Sequence, residues 1–340
     1  MLRFGFRDPA IAGIGYQHIA WIALGVVTAA IVYFLNIPLP PLSSTLLNWQ
    51  KKGTVFKYKE FDIFYIVEEG IQSDGSTLVL IHGFPTSSHD WSKILGRMKS
   101  QFSRIIMLDM LGYGFSDKPL DHHYLITEQA DIHEALLTSL SISRAHVMSH
   151  DYGDTVALEL LHRFNNRESK FQLESMCMLN GGVFPETNSL FGGQKLLLTP
   201  VLGFILSHFT SYRNFKWSIS RVFGVETQPT SDEMMDFYAI IQRKNGNVVK
   251  SRLIKYLNQR AENKDRWVGA LVQTKIPVHM IYGPSDPVNS RYAFVDQYKK
   301  VVPSPSITVL EAAIGHYPHW EDPTAVFESY KSFLQSIKKP

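Results

Sequence analysis

Ser149-His150-Asp151-Tyr152-Gly153-Asp154 follows an apolar, strand-like run at 145–148 and precedes a helical pattern over 155–164. A strand that turns sharply into a helix, with small residues two before and two after its apex, has the form of a nucleophile elbow. The apex sits in strained, positive-φ backbone, and larger side chains on either flank would collide with neighbouring elements. Ser149 and Gly153 supply the small flanks, which makes Asp151 the apex. Taken alone, Asp151 could equally cap the helix that follows, since aspartate is favoured at N-caps. The rest of the chain has to decide between the two.

The surroundings of this stretch are those of a globular protein. The 340 residues suit one large domain with an insertion, or two domains, and can bury a sizeable core. An apolar fraction of 45% and a charged fraction of 19% exclude a disordered chain. The net charge of +3 comes from 34 basic and 31 acidic residues without a dense basic block. A nucleic-acid partner therefore has no electrostatic footprint, and no phosphate loop is present. The single cysteine, Cys177, lies in an apolar run at 174–179 and reads as a small buried hydrophobe, which excludes a disulfide framework. No pair of histidines has metal-ligand spacing, so neither metal nor cofactor is expected.

Upstream of the elbow, 54–58 and 61–67 read as two strands joined by a tight turn, and 77–81 as a buried parallel strand. The last leads into His82-Gly83-Phe84-Pro85. A strand ending in His-Gly ahead of an elbow is a source of oxyanion-hole donors, so the backbone N–H groups of Phe84 and Tyr152 are expected to converge on developing negative charge. The plain alternative is an ordinary strand-to-helix turn with a proline. Another strand at 104–109 precedes a glycine-dependent loop, 111–119, whose backbone Asp109 is expected to bond. Asp117 and Lys118 read as solvated. A helix over 127–140 completes a β-α-β-α alternation, which specifies an α/β fold with a doubly wound, mostly parallel sheet.

After the strand at 174–179 the sheet pattern lapses until about 276. The chain thus divides into an N-terminal segment (1–50), a first core part (51–181), a helical cap (182–273) and a second core part (274–340). Within the cap, the apolar residues around Pro200 have three readings: lining of a substrate tunnel, contact with a membrane surface, or a helix packed on the core. Beyond it, a strand at 277–282 precedes Asp286, and a last strand at 306–310 precedes Gly315-His316. The order Asp151, Asp286, His316 is nucleophile, acid, base.

The N-terminal segment holds an uncharged apolar stretch, residues 19–35, beginning with Ile19 and ending with Leu35. Arg3 and Arg7 precede it, and a proline-rich linker from Asn36 stops it. A cleaved signal peptide would have a shorter core and a small-x-small site, and a buried helix would have little to pack against. A single membrane anchor is the expectation, with the N-terminus cytosolic and the body across the membrane.

The strings HGFPTSSHDW, LGYGFSDKP and SHDYGD resemble the Asp-nucleophile branch of the α/β-hydrolases, which includes epoxide hydrolases and haloalkane dehalogenases. With NGGVFPET, NQR, RWVGAL, YGPSDPVN and HYPHWEDP, the chain from 51 to 323 is similar to the mesoderm-specific transcript protein family. The resemblance implies an α/β-hydrolase fold, a site at Asp151, Asp286 and His316, and residence in the endoplasmic reticulum membrane; it names no settled substrate. An aspartate nucleophile suits attack on saturated carbon, giving an alkyl ester that His316 would hydrolyse with water. A lipophilic small molecule, such as an epoxide, is the substrate expected. Dehalogenases of the branch resemble one another in placing Trp after the nucleophile, where Tyr152 stands. Epoxide hydrolases use two cap tyrosines, for which Tyr238 and Tyr256 are the candidates; their usual tyrosine–arginine pair is lacking, with Trp267 and Val268 near its place. A lipid ester hydrolase or acyltransferase at the membrane, and a non-catalytic binding protein on a hydrolase fold, stay open as alternatives.

Overall fold

Runs of consecutive apolar residues become strands covered on both faces in the computed structural model, which describes residues 9–35, 38–189, 192–208, 210–289 and 291–337. Eight strands form one sheet: β1 (Thr54–Tyr58), β2 (Phe61–Glu69), β3 (Thr77–Ile81), β4 (Arg104–Leu108), β5 (Arg144–His150), β6 (Gln172–Leu179), β7 (Val278–Tyr282) and β8 (Ile307–Val309). Their order across the sheet is β1-β2-β4-β3-β5-β6-β7-β8. β2 runs antiparallel to both its neighbours, and all other pairs are parallel.

Because strand side chains alternate, successive residues feed two separate cores. Val79, Ile106 and Val147 enter one; Leu80, Met107 and Met148 enter the other. The first core is closed by α4 (Ile126–Ser139) and α5 (Tyr152–Asn165), the second by α2 (Ser44–Lys52) and α3 (Ser92–Met98). Helix α5 is buried on every side from Tyr152 to Leu161, because the sheet covers one face and further helices the other.

Between β6 and β7 lie α6 (Gly192–Leu197), α7 (Pro200–His208), α8 (Tyr212–Ser220), α9 (Ser231–Gln242), α10 (Gly246–Leu253), α11 (Tyr256–Glu262) and α12 (Lys264–Gln273). The first six make up the insertion. Helix α12, expected within the cap, instead lies against α5, and Glu159 of α5 accepts from both Arg266 and the Trp267 indole. The chain ends with α13 (Arg291–Val301), α14 (Pro318–Glu321) and α15 (Pro323–Ile337); Phe333 and Leu334 of α15 enter the second core.

The chain separates into two compact units, Met1–Pro40 and Pro41–Pro340. The body thus begins ten residues before the expected boundary at 50. The reason is α2: Leu46 and Trp49 are buried, and the Trp49 indole donates to Ser88 Oγ at 3.2 Å. The first unit carries α1 (Pro9–Leu35), which has no Asp, Glu, Lys or Arg and exposes Tyr16, Ile19, Trp21 and Ile22. Among the described residues no helix is long and apolar enough to cross a membrane. Arg3, Arg7 and Asn36 lie outside the described residues.

The loop after β4 departs from the expectation at one position. Asp109 bonds backbone as expected, accepting from the N–H groups of Ser88 and Phe115 at 2.7 Å each. Lys118 is not solvated: it is buried, and its ammonium donates to the carbonyls of Gly114 and Arg243, both at 2.7 Å. Two converging carbonyls replace the water that the sequence pattern implies.

Candidate active site

The elbow arises where β5 meets α5. Asp151 has φ 50° and ψ −108°, the left-handed region that a residue with a side chain seldom occupies. A Cβ on Gly153 would fall 2.4 Å from the Ile81 carbonyl oxygen and 2.6 Å from that of His82, so α5 can start here only with glycine. Ser149, the other small flank, is buried and donates to Asp154 Oδ1 at 2.5 Å.

The turn after β3 comes within reach of this apex. The Phe84 N–H donates to Asp151 Oδ2 at 2.9 Å. His82 holds the turn from behind, accepting the Met110 N–H at Nε2 (3.1 Å), while its Nδ1 lies 2.9 Å from the Gly83 carbonyl. Gly83 is required because a Cβ there would lie 2.7 Å from His150 Nδ1. Pro85 follows, joined to Phe84 by a cis peptide bond. Tyr152 opens α5, with its side chain buried.

The loops after β7 and β8 complete the group. His316 Nε2 stands 3.7 Å from Asp151 Oδ1, and its Nδ1 donates to Asp286 Oδ2 at 2.9 Å. Burial disfavours charge on His316, but the carboxylates of Asp286 and Asp151 outweigh it and lift its pKa to about 9. Burial would likewise raise Asp286; the neighbouring His316 charge and donated hydrogen bonds hold its carboxyl below the ordinary value. Oδ1 of Asp151 thus faces His316, while Oδ2 faces a backbone donor.

Above these residues lies a cavity of about 430 Å³, lined by Phe84, Asp151, Tyr256, His316, Tyr317 and apolar side chains of the insertion. Leu196, Leu197 and Leu206 are among them, in keeping with the tunnel reading of the run around Pro200. The two candidate proton donors part company here. Tyr256 lines the cavity, with its ring 4.8 Å from that of Tyr152 and the Arg260 guanidinium 4.8 Å above it. Burial, followed by the Asp151 charge, raises its pKa and keeps the phenol protonated. Tyr238 does not line the cavity; its hydroxyl donates to the Thr210 carbonyl at 3.0 Å, and its ring packs on Tyr212 and Phe215. Its assignment as a proton donor is corrected on that ground.

Three residues that the sequence pattern does not single out hold Asp286 and the backbone around His316. Asn180 Nδ2 and Asn289 Nδ2 donate to Asp286 Oδ2 at 3.0 and 2.9 Å. Glu321 accepts from the N–H groups of Gly315 (2.7 Å) and Tyr317 (2.9 Å), on either side of His316, and from that of Gly224 (2.9 Å). The strings NGGVFPET, YGPSDPVN and HYPHWEDP contain all three, yet nothing in their spacing discloses these bonds. The structure also gathers ligating atoms of Asp90, His150 and His319 within 4.8 Å of one another, all buried, where the sequence showed no metal-ligand spacing.

A family model described as alpha/beta hydrolase fold matches residues 76–323. The mesoderm-specific transcript homolog protein of Bos taurus is 43% identical over 326 residues, covering 93% of this chain and 96% of its own. The structure of epoxide hydrolase CorEH is similar with a TM-score of 0.67 and 18% identity, over 84% of this chain and 99% of that one. That of haloalkane dehalogenase DatA from Agrobacterium tumefaciens C58 gives 0.70 and 18%, over 84% and 97%. At such identities the two structures speak for the fold alone.

Proposed function

The chain belongs to the mesoderm-specific transcript proteins of the α/β hydrolase fold family, and from that premise we propose that it is a hydrolase opening an apolar epoxide through a covalent ester on Asp151. The observation that carries the reading is the division of labour at one carboxylate. Phe84 N–H holds Oδ2 at 2.9 Å, and Oδ1 is left facing His316 and the cavity.

In the first step Oδ1 attacks an epoxide carbon. The carbon–oxygen bond breaks with its electron pair on oxygen, and Tyr256 gives that oxygen its proton. Ester formation removes the Asp151 charge, one of the two that raise the His316 pKa, so the base loses its proton more readily once it is needed. Neutral His316 then takes a proton from water, whose oxygen attacks Cγ of the ester. The resulting oxyanion forms on Oδ2, where the Phe84 N–H already points and the Tyr152 N–H would join it. Collapse passes the second water proton to the departing alkoxide, releasing the diol and restoring the carboxylate, and the proton that His316 took from water replaces the one it gave to the Tyr256 phenolate.

Intact-protein mass spectrometry of His316→Gln, incubated with a panel of lipophilic epoxides and alkyl halides, tests this reading. A covalent adduct mapped to Asp151, and missing from His316→Gln/Asp151→Ala, is expected. Failure of every compound to leave an adduct would remove the Asp151 mechanism.

We also infer that α1 attaches the body to the endoplasmic reticulum membrane, with the body on the lumenal side. Its uncharged sequence and exposed apolar side chains support this. Carbonate extraction distinguishes an integral from a peripheral attachment, protease protection reads the side, and recovery in the soluble fraction refutes attachment.

A further inference from the structure

The cavity above Asp151 carries one charged side chain that the mechanism leaves unused. Lys250, on α10, lines it, and the side chain is only 8% exposed. An ammonium has three donors. Here one reaches Thr210 Oγ1 at 2.8 Å, and that hydroxyl can spend its own proton on the carbonyls of Leu206 or Ser207. No carboxylate lies within ion-pairing distance of Lys250 among the described residues. Burial acts on it unopposed and pushes its pKa down to about 8. Even Asp151, on the same cavity wall, is too far away to hold the charge.

Such an arrangement is unfavourable for the protein alone. Placing an ammonium in an apolar wall with a single neutral partner costs several kcal/mol unless a counter-charge arrives. Lys118, by contrast, is equally buried but spends its donors on two carbonyls and is not among the residues lining this cavity. Asn214 and Ser218, one turn apart on α8, add neutral polar groups to the wall that Lys250 shares with Phe215, Trp217 and Ile219. The cavity therefore offers a cation, apolar side chains and, too far to pair with that cation, the Asp151 carboxylate.

We infer that Lys250 is the head-group site of this cavity, and that the molecule bound there is an amphiphile with an anionic carboxylate or phosphate head, its apolar chain running towards Asp151. That the chain bears the reacting carbon rests on the Asp151 reading above; the head-group preference does not. A carboxylate or phosphate supplies the charge-assisted hydrogen bonds that Thr210 cannot.

Binding to the full chain tests this without turnover. With the protein in phosphatidylcholine nanodiscs at neutral pH, and empty nanodiscs subtracted, equilibrium binding is measured for dodecanoate, dodecyl phosphate, dodecanol and dodecyltrimethylammonium. One or both anions should bind wild type at least about tenfold more tightly than dodecanol, the worth of one charge-assisted bond. The anion preferred tells a carboxylate head from a phosphate one. Lys250→Met should bring the preference to within about twofold, and Lys250→Arg should keep it, with circular dichroism verifying that both fold. Dodecanol or the cation binding wild type as tightly as either anion overturns the inference, as does no saturable anion binding, or a preference that survives Lys250→Met. Anion selectivity without an Asp151 adduct would remove the mechanism and leave the head-group site; an adduct without selectivity would do the reverse.

Discussion

The Nε2–H of His150 donates to the backbone carbonyl of His316 at 2.8 Å, tying the residue before Asp151 to the histidine that faces Asp151. A carbonyl only accepts, so the proton of the neutral imidazole is fixed on Nε2. Burial first, and the His316 charge second, depress the His150 pKa to about 3, which keeps the ring neutral. His150→Ala leaves the buried carbonyl without a donor, and we expect a loss of about 1–3 kcal/mol in urea denaturation. His316 should also lose its alignment, so the Asp151 ester should live longer in His150→Ala than in wild type. His150→Gln, which can still donate, should recover part of both. An unchanged midpoint in His150→Ala would mean that the tie has no structural weight.

Acid should unfold the protein well above the carboxylate range. Burial is the main cause holding His89, His133 and His279 at about 4, and His150 at about 3. Unfolded histidine titrates near 6.5, so in each case the folded pKa is the depressed one. Their stabilisation is fully present above about pH 6.5 and is lost as pH falls towards 4, by up to roughly 3 kcal/mol each. A domain of about 5–15 kcal/mol total stability does not survive several such losses. Tryptophan fluorescence against pH should show a transition between about pH 6 and 4; a flat trace across that window would contradict it.

His316 works in the opposite sense. Its folded pKa of about 9 lies above the unfolded value, so its contribution is complete below about pH 6.5 and declines as pH rises through 9. Denaturant titrations of wild type should lose up to about 3 kcal/mol across that interval. His316→Gln should flatten the decline. Equal slopes in the two proteins would show that the Asp286–His316 pair does not set the alkaline limit.

Tyr256 and Tyr238 should separate cleanly. Tyr256→Phe removes the proton donor facing Asp151, and ester formation should slow by about 10²- to 10⁴-fold, the usual weight of general acid catalysis. Tyr238→Phe loses only the bond to the Thr210 carbonyl, costing roughly 1 kcal/mol of stability without slowing adduct formation. Adduct formation equally slow in both variants would refute the division.

What the sequence disclosed, and what it hid, follows sequence distance. The elbow declares itself because strand, small flanks and helix are contiguous, even though the carbonyls that bar a Cβ at Gly153 belong to Ile81 and His82, far upstream. The sheet was legible for a similar reason: five-residue apolar runs bounded by turns admit few other readings. Asn180 and Glu321 stayed hidden because their work is done far along the chain, Asn180 on Gly283 and Asp286, Glu321 on Gly224. The phase of the insertion helices was equally out of reach. Tyr238 and Tyr256 look alike in sequence, yet only packing turned one to the cavity. Lys250 and Lys118 show the same limit for charge, since a lysine in a polar stretch reads as solvated until carbonyls or a cavity wall are seen around it.

The sheet order has a consequence for how the protein is made. The elbow is complete once α5 has been synthesised, but Asp286 follows β7 and His316 follows β8, which are laid at the sheet edge only after the whole insertion. A chain emerging from the ribosome N-terminus first therefore carries Asp151 without His316 until residue 316 has been added. Truncated products should be able to take an alkyl group at most once, with no means of releasing it. Premature termination would yield single-use traps, and working hydrolases would come only from chains that reach their last strand.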